Sequence, residues 1–189
     1  RSFRQVTAPE RAAADELAGK DAVERGRDAF ARDVAPRDDQ AVGPWISDDG
    51  KVLYFSSDMK GGFGGKDIYK SELVNNHWTK PVNLGETINT HLDEVYPFVY
   101  KNTLYFSSTG HPGLGGLDIF KSDVGPGGFM EPQNMGYPLN TNFDDFGIVV
   151  SAPGNHGYLS SNRKNGGYND DVYEFEMDLQ TYPLEINGV

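Results

Sequence analysis

One block of sequence recurs, and it constrains the fold more than any single motif. LYFSSDMKGGFGGKDIYKS begins at Leu53 and returns at Leu104 as LYFSSTGHPGLGGLDIFKS. A worn third copy, YLSSNRKNGGYNDDVYEF, begins at Tyr158. Tyr54, Tyr105 and Tyr158 stand 51 and 53 residues apart, and Asp67, Asp118 and Asp171 each follow their tyrosine by 13 residues. The connectors repeat as well: WTKPVNLGETINTHLDE from Trp78 matches FMEPQNMGYPLNTNFDD from Phe129. Pro81/Pro132, Asn83/Asn134, Gly85/Gly136, Asn89/Asn140 and Asp93/Asp144 therefore coincide. Self-similarity at a fixed period means stacked supersecondary units, each burying its faces against its neighbours.

Each unit parses into four strands. In the second they are expected at 94–100, 103–108, 118–124 and 129–134, with Lys101-Asn102, the glycine loop and Gly-Pro-Gly-Gly at the joints. Tyr, Phe, Ile and Val fill the runs while Gly, Asn, Asp and Pro fill the turns, as strand and turn physics require. Four antiparallel strands at this period predict an all-β fold, a β-propeller of four-stranded blades at about 41–90, 91–141 and 142–180. Three blades are fewer than the usual range of about four to eight. Either further blades lie outside this sequence, which is the favoured expectation, or strands from the two ends close a smaller array.

Residues 1–40 differ in kind. ERAAADELAGKDAVERGRDAFARDV is rich in helix formers, with Leu17, Val23, Phe30 and Val34 as its larger apolar residues. It predicts a short helical arm, or a partly ordered linker with little to bury. Residues 41–189 then form the propeller segment.

Charge and composition exclude several function classes. Against 28 acidic side chains there are 17 basic ones, a formal net charge of −11. No surplus of Lys and Arg exists to displace counterions from a nucleic-acid backbone. The chain has no cysteine, so disulfides, thiolate metal sites and a cysteine nucleophile are absent. No apolar run approaches the roughly 20 residues of a membrane-spanning helix. The first residue is Arg1, and no signal-peptide pattern follows it.

The pattern LYFSS…GGxGGxDIY followed by P-x-N-[LM]-G…NT…[DE][DE] resembles the WD-type propeller repeat of the TolB family. It is similar above all to the glycine-rich version in Bacteroidota envelope proteins that end in an OmpA-like peptidoglycan-binding domain. Some of these belong to the type IX secretion and gliding apparatus. The likeness covers residues 41–175. It implies a periplasmic, outer-membrane-associated scaffold whose partners are other envelope or secretion-system proteins. Peptidoglycan would be bound only through a domain not in this sequence.

The motifs read mainly as scaffold. The glycine loops at 61–65, 110–116 and 165–170, with Gly65 and Gly116 among them, lead into strands rather than helices. That disfavours a phosphate cradle, and tolerance of positive φ accounts for them. Asp67, Asp118 and Asp171 stand where loop becomes strand and are expected to lock the turn by accepting loop N–H bonds. Asn83, Asn134, Asn89 and Asn140 are repeat positions of the same structural kind. Paired acids at Asp48-Asp49, Asp93-Glu94, Asp144-Asp145 and Asp170-Asp171 lack EF-hand spacing. No cofactor is expected; calcium is the one ion such oxygens would suit. His77, His91, His111 and His156 are placed in loops without metal spacing. The serine pairs lack a nucleophile elbow, and one serine of each is expected to face solvent. Tyr137, Tyr168 and Arg163 break the repeat and are the candidate partner contacts, with solvation as the arginine's default. These readings favour a non-enzymatic scaffold. The alternatives are a propeller glycoside hydrolase with two opposed carboxylates, or a carbohydrate- or peptide-binding module.

Overall fold

A computed structural model describes residues 2–5, 41–152 and 154–177. They are all-β, apart from one 3-10 turn at Asn165–Gly167, and form three antiparallel sheets. The first sheet holds β2 (Ala41–Ile46), β3 (Val52–Ser57), β4 (Asp67–Val74), β5 (His77–Trp78) and β6 (Val82–Asn83). The second holds β7 (Glu94–Tyr100), β8 (Thr103–Ser108), β9 (Asp118–Gly125), β10 (Gly128–Phe129) and β11 (Gln133–Asn134). The third holds β12 (Asp145–Ser151), β13 (His156–Ser161) and β14 (Asp171–Glu176), and its fourth strand is β1 (Ser2–Gln5) from the other end of the chain.

Three expectations are corrected here. The fourth strand of the first two units is two short pieces, because Pro81 and Pro132 cannot donate to the ladder of β4 or β9. Ser2–Gln5, counted with the arm, is a strand paired to β14 in the register Ser2↔Glu176 to Gln5↔Tyr173. His77 and His156 open strands instead of lying in loops. The helical reading of residues 6–40 lies outside the described residues.

Apolar alternation builds two cores between sheets. Ile68 and Ile88 of the first unit meet Leu104, Phe106 and Phe120 of the second. Tyr105, Ile119 and Leu139 of the second meet Ile148, Val150, Leu159, Tyr173 and Phe175 of the third. Trp45 reaches across from the first sheet, its ring 6.1 Å from Phe98. Fully burying such side chains contributes about 1.5–3 kcal/mol each, so the stacking of sheets carries the fold.

The first strand of every sheet bulges at the same place, after Val42, Val95 and Phe146. A residue of positive φ makes the bulge: Gly43 (60°), Tyr96 (55°) and Gly147 (62°). Glycine takes that conformation freely, whereas a side chain there costs about 1–2 kcal/mol. The Tyr96 ring stacks on Phe146 at 5.3 Å, and its Cα lies 3.0 Å from where a Cβ on Gly43 would fall.

Candidate functional site: the loop-bearing edge of the sheets

The loops β3–β4, β8–β9 and β13–β14 emerge at one edge, and the connectors between units pass along it. Two asparagines hold those connectors. Asn89 Oδ1 accepts from the Ile68 amide (2.7 Å), and Asn89 Nδ2 donates to Ile68 O (3.0 Å) and Asn83 Oδ1 (2.8 Å). Asn140 does the same to Ile119 and Asn134, at 2.8 Å throughout. The ladder of β6 on β4 stops at Tyr69, so the asparagine amide serves as one further residue of strand for Ile68.

Two of the repeated aspartates pin the loop tips. Asp67 Oδ2 accepts from the Phe63 amide (2.7 Å) and Asn83 Nδ2 (3.0 Å). Asp118 Oδ2 accepts from the Leu114 and Gly115 amides, both at 2.9 Å. The second oxygen of each is buried without a hydrogen-bond partner. Burial pushes the Asp118 carboxyl above its ordinary 3.8, outweighing the two amide bonds, with Asp145 and Asp144 adding repulsion. A raised carboxyl stabilises the fold below its unfolded value, and that contribution is lost as pH rises through its folded value. Asp118→Asn keeps an oxygen for the two amides and removes the buried charge. Its stability relative to the native chain is therefore expected to improve from pH 4 toward neutrality in denaturant titrations. A difference independent of pH would contradict this. Asp171 is half-buried and keeps the register opposite Ser161.

The glycines of the first two loops answer to crowding more than to backbone angle, which corrects the positive-φ reading. A Cβ on Gly62 would fall 1.9 Å from Asp67 Oδ2, and one on Gly113 2.1 Å from Asp118 Oδ2. On Gly64 and Gly115 it would strike the next connector's backbone, 2.4 Å from His91 C and 2.0 Å from Phe143 O. Gly65 and Gly116 abut Asp93 and Asp144, whose carboxylates accept from the Lys66 and Leu117 amides. Positive φ applies to Gly61, Gly166 and Gly167.

The paired acids are structural too. Glu94 is wholly buried and accepts from the Thr90 amide (2.7 Å), Thr90 Oγ1 (2.8 Å) and Ser108 Oγ (2.7 Å). Asp145 takes the same place in the third unit, but Ala41 stands there in the first. Ser57, the counterpart of Ser108, thus has a buried hydroxyl with no partner. Both serines of the first two pairs are buried, contrary to the expected inward–outward split. Ser57→Ala is expected to lie within about 0.5 kcal/mol of the native chain. Ser108→Ala, which strips a donor from a buried carboxylate, should cost about 1.5–3 kcal/mol by chemical denaturation.

Arg163 is neither solvated nor a free partner contact, which corrects both readings. Its Nη1 donates to Pro138 O (2.9 Å), Nη2 to Leu139 O (2.7 Å) and to Asp145 Oδ1, and Nε to Ser161 Oγ (2.9 Å). The guanidinium lies 5.0 Å over the Tyr173 ring. His111 fills the matching place one unit earlier: Nε2 donates to Ile88 O (2.9 Å), and the ring rests 5.2 Å from Phe120.

A Ser–His–Glu chain exists in the third sheet, with His156 Nε2 2.9 Å from Glu174 Oε1 and Nδ1 3.2 Å from Ser151 Oγ. The Ser151 hydroxyl directs its proton at His156 O (3.0 Å), so it is a hairpin brace and not an activated nucleophile. Among the described residues no three His, Cys, Asp or Glu stand close enough to hold a metal ion. No helix among them is long and apolar enough to cross a membrane.

Apolar side chains project from this edge, beside the exposed charges of Asp58, Lys60, Lys164 and Asp170. Phe63 is 49% exposed, Leu114 53% and Tyr168 88%, one on each hairpin loop, and Leu92 joins them from the connector. Tyr137 is 77% exposed on the second connector. Tyr137 and Tyr168 were singled out by sequence; Phe63, Leu92 and Leu114 were not. The available signal was a bulky residue centred among glycines, in GGFGG and GLGG.

No family model matches the chain, and no curated protein does. Among solved structures it is similar to the crystal structure of alpha-L-arabinofuranosidase from Lactobacillus brevis, at 14% identity and a TM-score of 0.46. The match covers 76% of this chain and about half, 54%, of that one.

Proposed function

We propose that the chain is part of a propeller-type, non-enzymatic interaction scaffold that binds other proteins through its loop-bearing edge. One observation carries this reading: the amides of the exposed tips Phe63 and Leu114 are held by buried aspartates. The carboxylates of Asp67, Asp118, Asp93 and Asp144 are spent on bracing backbone, while large apolar side chains face outward among the exposed charges. Tips fixed before binding lose little entropy on contact, which is how a rigid surface gains affinity. Three stacked sheets of one repeat also suit consecutive propeller blades. The repeat's likeness to TolB-type envelope proteins supports a periplasmic, outer-membrane-associated setting in the Bacteroidota. It also supports a link to type IX secretion or gliding, with an OmpA-like domain elsewhere in the intact protein.

The test is to replace Phe63, Leu114 and Tyr168 by serine in the intact protein, expressed in its native envelope. Proteins that co-purify with the native form should be lost while the melting temperature holds. An unchanged set of co-purifying proteins would overturn the reading, as would a hydrolytic activity in the native form that survives the change.

A further inference from the structure

We infer that the outer edge of β14 is a strand-acceptor site, and that the N-terminal strand of a second copy of this chain exchanges into it. In the first two sheets the strands that pair with β4 and β9 follow in the same unit. The third sheet instead takes its outer strand from Ser2–Gln5, which residues 6–40 join to β2 of the first sheet. A ladder of backbone hydrogen bonds is indifferent to which chain supplies the strand. The cost of closing a loop grows slowly with its length, so a long connection gives the chain's own strand a modest advantage over a neighbour's.

The edge also selects its occupant by charge. DVYEFE in β14 carries Asp171, Glu174 and Glu176, whereas the register of SFRQ sets Arg4 opposite Glu174. Opposite charges directly across a ladder favour pairing and like charges oppose it, so the acidic edge favours a basic strand over another acidic one. Left bare, this edge would present unpaired backbone, the template that drives one chain to pair with another. The inference rests on register, charge and the length of the connection, and is independent of the proposed role of the loop tips.

The chain has no cysteine, so engineered thiols report cleanly. A full-length Ser2→Cys chain is mixed with a full-length Glu176→Cys chain under mild oxidation; Glu176 is exposed, so folding is not at risk. Facing positions in an antiparallel ladder meet the Cα spacing a disulfide needs. Attachment within one chain corresponds to an effective concentration on the order of 1 mM, so at about 200 µM roughly a tenth of the chains should form the mixed dimer. The yield should fall on dilution. Ser2→Cys mixed with Glu72→Cys, an exposed position on β4, should give background. If the mixed dimer does not exceed that control while the Ser2→Cys/Glu176→Cys double variant closes within one chain, the site is private to its own strand and the inference fails. If neither disulfide forms, the acceptor edge itself is refuted.

Discussion

Arg163→Met is expected to cost about 3–5 kcal/mol of folding stability, because it leaves a buried carboxylate without its counter-charge. Asp145 is fully buried, and its other oxygen is occupied by the Thr141 amide (2.6 Å) and Thr141 Oγ1 (2.9 Å). Nothing else in that pocket can take over the guanidinium's role. The same substitution frees the carbonyls of Pro138 and Leu139, so the connector loosens together with the third sheet. A second change, Asp145→Asn, removes the stranded charge, and the double variant should recover more than half of the loss in urea titrations. If Arg163→Met alone stays close to the native chain, or the double variant is worse than the single one, the pair is not the brace described.

Asn140→Ala is the second large effect, expected at about 2–3 kcal/mol, because it leaves one buried amide without a partner, worth about 1–3 kcal/mol, and removes two further bonds. The amide of Ile119 loses its partner, while Ile119 O and Asn134 Oδ1 each lose one of two donors and keep the Met135 and Gly136 amides. Asn89→Ala should behave alike, since the first unit repeats the same bonds on Ile68. Asn140→Asp is the sharper probe. It is nearly isosteric and keeps the oxygen for the Ile119 amide, but it turns a donor toward Ile119 O into a carboxylate oxygen. It should therefore be at least as harmful as alanine at neutral pH and less so in acid, read by thermal melts across pH. Equal melting temperatures for native chain and variants would show that water or a shifted connector replaces the asparagine.

The period and most of the middle strands were readable from sequence because they depend on local pattern. Aromatic and β-branched runs bounded by Gly, Asn and Pro gave the bounds of β7 and β8 to the residue. The roles of Asp67 and Asp118 as turn locks were also readable, since an aspartate at a loop-to-strand boundary has few other partners. What escaped is non-local. Nothing in SFRQ announces a strand, because its partner lies at the far end of the described chain. Gly115 looks like a turn residue until the Phe143 carbonyl is seen beside it. Arg163 reads as solvated until Asp145, buried and otherwise unpaired in charge, is placed next to it. The tips Phe63 and Leu114 are hidden for the opposite reason: each sits among glycines whose turn signal dominates the segment.

Tyr96 makes the order of the units part of the design. The first and third units carry glycine at the bulge, and Gly43 of the first leaves room for Tyr96 of the middle unit, whose ring stacks on Phe146 of the third. Two middle units side by side would bring a tyrosine Cβ into the space that Gly43 keeps clear. Copying the central unit would therefore require its neighbour to give way at this contact, although the three sequences look interchangeable on paper. The single tyrosine thus gives the three repeats fixed places in the order.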